Sequence, residues 1–275
     1  MSLRQMFPST LAALFAACSF VVAGELAPPP KVWIFNGTPG DSEHHDFYEK
    51  NIARLRKTFT GRFGIPAENL TVLYGPQSAG YDGACTREAL LAELAKAAES
   101  TLKADPAPVW LIFQGHANAI AGGANFNLPG PDVSAREVGD ALKTAAPKST
   151  IVVLVTTACA GAFVRPLAAP GRIVMAATTS ADPENETEFP EALAASLEDE
   201  ATDSDKDGTV NVAELFLACH ARVQQIYAKL GFMVKEHAQL DGNGDGRATQ
   251  RPSPTDAAAA SRAGLRILKT EKKFD

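Results

Sequence analysis

Five short, mostly apolar runs constrain this chain more than any other feature. They are Val32-Trp33-Ile34-Phe35, Leu70 to Tyr74, Val109-Trp110-Leu111-Ile112-Phe113, Ile151 to Val155 and Arg172 to Ala176. Each is continuous rather than alternating, which suits strands covered on both faces of a sheet. Between them, apolar residues fall at helical spacing in Asp46 to Phe63, Thr86 to about Leu102, and Ser134 to Leu142. That alternation predicts an α/β domain with a mostly parallel sheet flanked by helices. In such sheets chemistry gathers in the loops past the carboxyl ends of the strands. The chain has no phosphate-cradling glycine loop of either common type, which argues against nucleotide chemistry.

Charge is unevenly placed. From Asp182 to Glu214 twelve acids face one base, Lys206, so this stretch carries -11 while the whole chain carries -6. The rest is therefore slightly basic, at +5 by difference. A local excess of this size predicts a solvated face or a cation site. With a pI near 5.5 and no aromatic-rich basic patch, nucleic acid is not expected as a partner. Arg4, the apolar run Leu11 to Val22 and the small residues Val22-Ala23-Gly24 predict a secretory signal over residues 1–24, and so an exported chain, periplasmic or secreted. The alternative, a lipid on Cys18, is a poorer match, and no later segment is expected to span a membrane. Cleavage would leave Cys85, Cys159 and Cys219, an odd number, so at least one thiol is expected free or bridged to another chain, a first hint that one cysteine has a job other than bridging within the chain. Cys85 and Cys219 are expected to pair or to stay buried.

The third strand runs into Gln114-Gly115-His116-Ala117, and the fourth into Thr156-Thr157-Ala158-Cys159-Ala160-Gly161. His116 and Cys159 thus follow the carboxyl ends of two strands one crossover apart. If those strands are neighbours, both side chains face one crevice. A thiol needs a base or a lowered pKa to attack a carbonyl at neutral pH, and an imidazole supplies the first. The same imidazole then protonates the leaving amine. The Cys159 amide is a candidate oxyanion donor.

Asp203-Ser-Asp205-Lys-Asp207-Gly208-Thr209-Val210-Asn211-Val-Ala-Glu214 fits the EF-hand calcium loop at each diagnostic position. Asp203, Asp205 and Asp207 stand at positions 1, 3 and 5, with Gly208 for the sharp turn. Thr209 offers its carbonyl, Asn211 stands ninth, and Glu214 is the closing bidentate acid. Val210 suits the short β contact between paired loops. Asp241, Asn243, Asp245 and Arg247 begin a second loop 38 residues later, but its twelfth position is Pro252. The expectation there is weaker binding, or an acid supplied from elsewhere. The cofactor expected is Ca²⁺.

His116 after a third strand and Ala158-Cys159-x-Gly161 after a fourth resemble the caspase and legumain (haemoglobinase) group of cysteine peptidases. The likeness runs from about Lys31 to Ala181. Ala176-Ala177-Thr178-Thr179-Ser180 resembles a legumain substrate-pocket segment, and Glu43-His44-His45-Asp46 sits where legumain-like enzymes carry pocket residues. Phe126 to Asp132 and Asn185-Glu186-Thr187 are similar to segments of exported bacterial caspase-like proteins. The resemblance implies a caspase-like sheet, a peptide or protein substrate, and His44, His45, Thr178 and Ser180 as substrate-binding residues. Ala117 departs from the glycine usual after the histidine, and Thr157 from the usual acid or glutamine, so neither group's specificity carries over.

The expected organisation is a signal over 1–24, a caspase/legumain-like domain over 25–187, an EF-hand-like paired-loop region over 188–252 and a surface tail over 253–275. The leading reading is a cysteine endopeptidase with a His116/Cys159 dyad and bound calcium. The alternatives are a calcium-binding scaffold that keeps the fold without turnover, and a hydrolase of a non-peptide acyl or amide substrate.

Overall fold

The computed structural model describes residues 28–76, 79–180, 182 and 186–268. The expected signal segment with Cys18, and the terminal lysines Lys269, Lys272 and Lys273, lie outside the described residues.

All five apolar runs are strands: β1 (Lys31–Asn36), β2 (Leu70–Tyr74), β3 (Val109–Gln114), β7 (Ile151–Val155) and β8 (Arg172–Ala176). They pair in parallel, in the order β8-β7-β3-β1-β2. Ile34, Ile112, Trp110, Phe113 and Leu154 have no exposed surface, as the unbroken apolar pattern requires. Each fully buried large side chain contributes roughly 1.5–3 kcal/mol. Helices α1 (Ser42–Gly61), α2 (Arg87–Ser100), α3 (Ala135–Ala141) and α4 (Gly161–Leu167) cover the faces. Asp41, Thr86 and Ser134 cap the first three with side-chain oxygens, which explains where each begins. The first helix starts four residues before the sequence pattern suggested, because the polar Ser42-Glu43-His44-His45 turn is recruited by the Asp41 cap. His44 and His45 are therefore helical residues, not loop residues.

Between β3 and α3 the chain forms a small antiparallel sheet of β4 (Ala117–Ile120), β5 (Gly123–Phe126) and β6 (Val133–Ser134). The last third holds α5 (Phe189–Glu198), β9 (Thr209–Asn211), α6 (Val212–Leu230), β10 (Gln239–Asp241), α7 (Pro254–Ala260) and β11 (Gly264–Arg266). The acidic region is built into the sheet: β10 adds antiparallel to β8 and becomes its edge strand.

Two expectations change here. The two acidic loops are not paired with each other, since Val210 of β9 stands opposite Leu265 of β11 while the second loop is tied to β8. Residues 253–268, expected as part of a surface tail, are packed into the molecule. Asp256, Ala260, Ala263 and Leu265 are buried, and β11 supplies the strand partner expected from the second loop.

The acid-rich stretch also finds partners. Arg54 on α1 binds Glu191 at 2.6 Å and Glu198 at 2.7 Å, joining α5 to the sheet's helical layer. Asp199 binds Arg222, and Asp182 accepts from the Thr179 and His237 amides. These acids are ties between elements rather than a solvated face.

Candidate active site and cation loop

β3 and β7 are hydrogen-bonded neighbours, with Phe113 opposite Val155. Their carboxyl ends therefore finish side by side, and the Thr156 amide donates to the Phe113 carbonyl at 2.9 Å. His116 and Cys159 lie in the loops just past those ends. Gly115 makes the turn possible. It has φ of 128° and approaches the Gly37 nitrogen so closely that a Cβ would sit 3.1 Å away.

His116 is held at both ring nitrogens. Nε2 lies 2.7 Å from the Pro39 carbonyl, and Nδ1 lies 2.6 Å from Glu186 Oε1. A carbonyl and a carboxylate both accept, so this geometry selects the imidazolium. The hydrogen bond to Glu186 raises the His116 pKa above its ordinary value, against the lowering effect of burial. Burial alone would raise Glu186, but the hydrogen bond and charge of His116, with His44 and Tyr48 nearby, hold its carboxyl below the usual range. Tyr48, 2% exposed, donates to Glu186 Oε2 at 3.2 Å. Thr187, next in the chain, donates its hydroxyl to the Thr156 carbonyl and so tethers Glu186 at the end of β7.

Cys159 has φ of 53°, a left-handed conformation uncommon for a side-chain-bearing residue and typical of strained positions at functional sites. It is 5% exposed. The turn is fixed from two directions. The Ala160 amide donates to Thr178 Oγ1 at 2.8 Å, and Gly161 lies so near the chain after β8 that a Cβ would fall 2.5 Å from the Ser180 nitrogen. The glycine two residues after the cysteine is thus a steric requirement. A cavity of about 770 Å³ opens beside Cys159, walled by the β4–β5 hairpin, α3, α4 and Ser180. That volume is in the range of small-molecule and peptide subsites.

The four expected substrate-binding residues separate. Ser180 lines this cavity. Thr178 is 2% exposed and supports the Cys159 turn. The His44 ring is 5.1 Å from that of His116, with Nδ1 on Asp41 at 2.8 Å and Nε2 3.7 Å from Glu186. His45 points away, its Nδ1 2.6 Å from the Tyr74 hydroxyl. Cys85 and Cys219 are buried and unbridged, and burial pushes both thiols up in pKa.

In the first acidic loop, carboxylate oxygens of Asp203, Asp205 and Glu214 come within 4.8 Å of one another, an acidic group able to hold a metal ion, with Asp203 buried and Asp205 exposed. Asp203 is 6% exposed, yet its Oδ1 has no hydrogen-bond partner. A buried, unpartnered carboxylate oxygen is costly unless something completes it. Asp207 and Asn211 hold the loop's shape, accepting from the Thr209 and Glu214 amides.

The second loop repeats this backbone pattern. Gly246 donates to Asp241 as Gly208 donates to Asp203. Asp245 and Arg247 donate to the side chains two residues before them, as Asp207 and Thr209 do. The Ser204 and Asp205 amides donate to Glu214, and the Gly242 and Asn243 amides donate to Asp256. Both closing acids stand three residues after a helix cap, in the same capping box. Asp256, four residues past the expected twelfth position, stands to the second loop as Glu214 stands to the first. Sequence spacing overlooked it, as it overlooked Glu186 and Pro39 beside His116.

No family model matches the chain, and no curated protein matches it. Among solved structures the chain is similar to the Drosophila initiator caspase Dronc, with a TM-score of 0.51 and 12% identity over 80% of this chain and 81% of that one. The chain therefore has a caspase-like fold: a central, mostly parallel sheet flanked by helices, with His116 and Cys159 past adjoining strand ends.

Proposed function

We propose that the protein is an exported cysteine endopeptidase of caspase/legumain-like type. The observation that carries the reading is the register of β3 against β7, which brings the His116 and Cys159 turns to one end of the sheet beside a cavity. Neutral His116 takes the Cys159 thiol proton as Sγ attacks the substrate carbonyl, the C–N bond breaks as that proton passes to the amine, and water hydrolyses the thioester, releasing the acid and restoring the thiol. The Cys159 amide serves as an oxyanion donor. Because Nε2 is committed to the Pro39 carbonyl, Nδ1 is the nitrogen that serves the reaction. Turnover then requires Glu186 to give up Nδ1. A peptide probe with a thiol-reactive group should label the wild-type chain and not Cys159→Ala; equal labelling of the two would sink the reading.

The engagement of both His116 nitrogens favours a second reading, a caspase-like scaffold without turnover. It expects no labelling at any pH.

We further propose Ca²⁺ at the first loop, held by Asp203, Asp205, Asp207, the Thr209 carbonyl, Asn211 and Glu214. The unpartnered buried oxygen of Asp203 supports it. Hard oxygen donors of this number suit calcium better than magnesium, which keeps more of its water. Asp241, Asn243, Asp245, the Arg247 carbonyl and Asp256 form the second site. Isothermal titration with CaCl₂ and MgCl₂ tests both, and heat from magnesium alone would overturn the assignment.

A further inference from the structure

The cavity beside Cys159 has a charge character that the dyad does not explain. Two arginines line it, Arg136 on α3 and Arg165 on α4. Their placement follows from how the two helices meet. Gly139 packs so tightly on the Pro166 carbonyl that a Cβ would lie 2.2 Å from it. Arg136 stands one turn before that contact and Arg165 next to it, so the guanidinium groups flank one opening. The stem of Arg165 is backed by the second acidic loop, its Cγ 3.6 Å from where a Gly246 Cβ would stand.

Neither arginine forms an ion pair or hydrogen bond among the described residues, and both are exposed. Arg247, Arg251, Arg262 and Arg266 are also without a side-chain partner among the described residues, but none of them lines this cavity. Arg54, Arg87 and Arg222 are bound to carboxylates, and Arg62 and Arg172 donate to backbone carbonyls. The cavity's one acid, Asp140, is spent on Lys143 at 2.6 Å. The opening therefore carries two uncommitted guanidinium groups within a concave wall that also holds Cys159. Guanidinium groups in such a setting select carboxylates, because their planar N–H pairs match the two oxygens.

We infer that this cavity is a subsite for an acidic peptide segment flanking the bond presented to Cys159. The inference rests on the peptidase reading for its orientation, but the binding preference exists whether or not the chain turns substrate over. The other side of His116, closed by His44, Tyr48 and the Glu186 carboxylate, offers no such selection for acids.

Binding is measured by fluorescence anisotropy on the full chain carrying Cys159→Ala, with labelled octapeptides bearing Glu-Glu or Gln-Gln at each successive pair of positions. At one pair of positions, Glu-Glu should bind about tenfold tighter than Gln-Gln, as two partly screened ion pairs would give. The preference should weaken with added salt and fall within about twofold when Arg136→Gln and Arg165→Gln are combined. Equal affinity for both series, no measurable binding of acidic peptides at low salt, or a preference that survives the double substitution overturns the subsite. Hydrolysis of the same peptides by the unsubstituted chain separates the two ideas. An arginine-dependent preference without cleavage sinks turnover and leaves the subsite. Cleavage that ignores acidity sinks the subsite and leaves the peptidase.

Discussion

His116 and Asp203 are polar centres in opposite states of completion. Every hydrogen-bonding atom of the His116 ring has a partner: Pro39 on one nitrogen, Glu186 on the other. Asp203 is more deeply buried, yet one of its oxygens has none. The difference teaches what each centre needs. The histidine is saturated by its own chain and must lose a proton and a contact before it can act as a base. The acidic loop is unsaturated and must gain one. The first is adjusted by removing a carboxylate, the second by adding a cation.

The largest expected effect lies at the unsaturated centre. Calcium at 100 times its Kd should stabilise the chain by about 2.7 kcal/mol, a rise of roughly 5–10 °C in Tm for a chain of this size. Glu214→Gln removes the closing acid and should weaken first-site affinity about 100-fold, abolishing that rise at the same calcium concentration. Calorimetry and a thermal melt read both. A chain whose Tm ignores calcium would break the contrast, because Asp203 would then be tolerating its unpartnered oxygen without a ligand.

The second loop stands between the two extremes. Asp241 is fully buried, but Gly244, Asp245 and Gly246 amides satisfy its oxygens. A cation there gains less, since the loop's own amides already do part of its work. Asp256→Asn should therefore lower affinity at a second, weaker binding event by about tenfold and leave the first event unchanged. If the substitution weakens the tight event instead, the order of the two loops is reversed.

The saturated centre is tested by Glu186→Gln. An imidazolium paired with a carboxylate holds its proton to higher pH, so in the wild type Nδ1 becomes available only as pH rises through the elevated His116 value. The amide keeps a hydrogen bond but not the charge. The midpoint of thiol labelling against pH should fall by about one unit, which is about tenfold faster labelling on the acidic limb. The pair's contribution to stability has two edges. It is lost as pH rises through the His116 value and as pH falls through the depressed Glu186 value. Glu186 is 51% exposed, so screening limits that contribution to about 1 kcal/mol or less. A labelling profile unchanged by the substitution would show that Glu186 is a bystander.

Much of this was legible from the chain alone, for a physical reason. The five strands are buried on both faces, so their apolar runs are unbroken and easily read. The His116 and Cys159 turns followed, because parallel pairing brings carboxyl ends together. The β4–β6 sheet was missed: Asn118, Ala119 and Ile120 are exposed and alternate with nothing. Strands β10 and β11 are three residues long and owe their existence to the edges they join. Asp256 escaped because a four-residue insertion moves the closing acid out of the EF-hand register while the helix cap restores its place. Glu186 lies 70 residues from His116, and no local pattern announces a contact of that range.

The smallest expected effect concerns how Glu186 is delivered. Its neighbour Thr187 is 8% exposed and ties the chain to the end of β7 through the Thr156 carbonyl. Thr187→Val removes that donor while keeping the branched shape, so about 1 kcal/mol of stability should be lost. If the tether positions the carboxylate, the labelling midpoint should also move down, in the same direction as for Glu186→Gln but by about a third as much. Combining the two substitutions should add no further pH shift, because a tether has nothing to deliver once the charge is gone. A loss of stability with no movement of the midpoint would make Thr187 a packing residue only. The saturation of His116 would then rest on Tyr48 and His44, the two groups that approach the same carboxylate from α1.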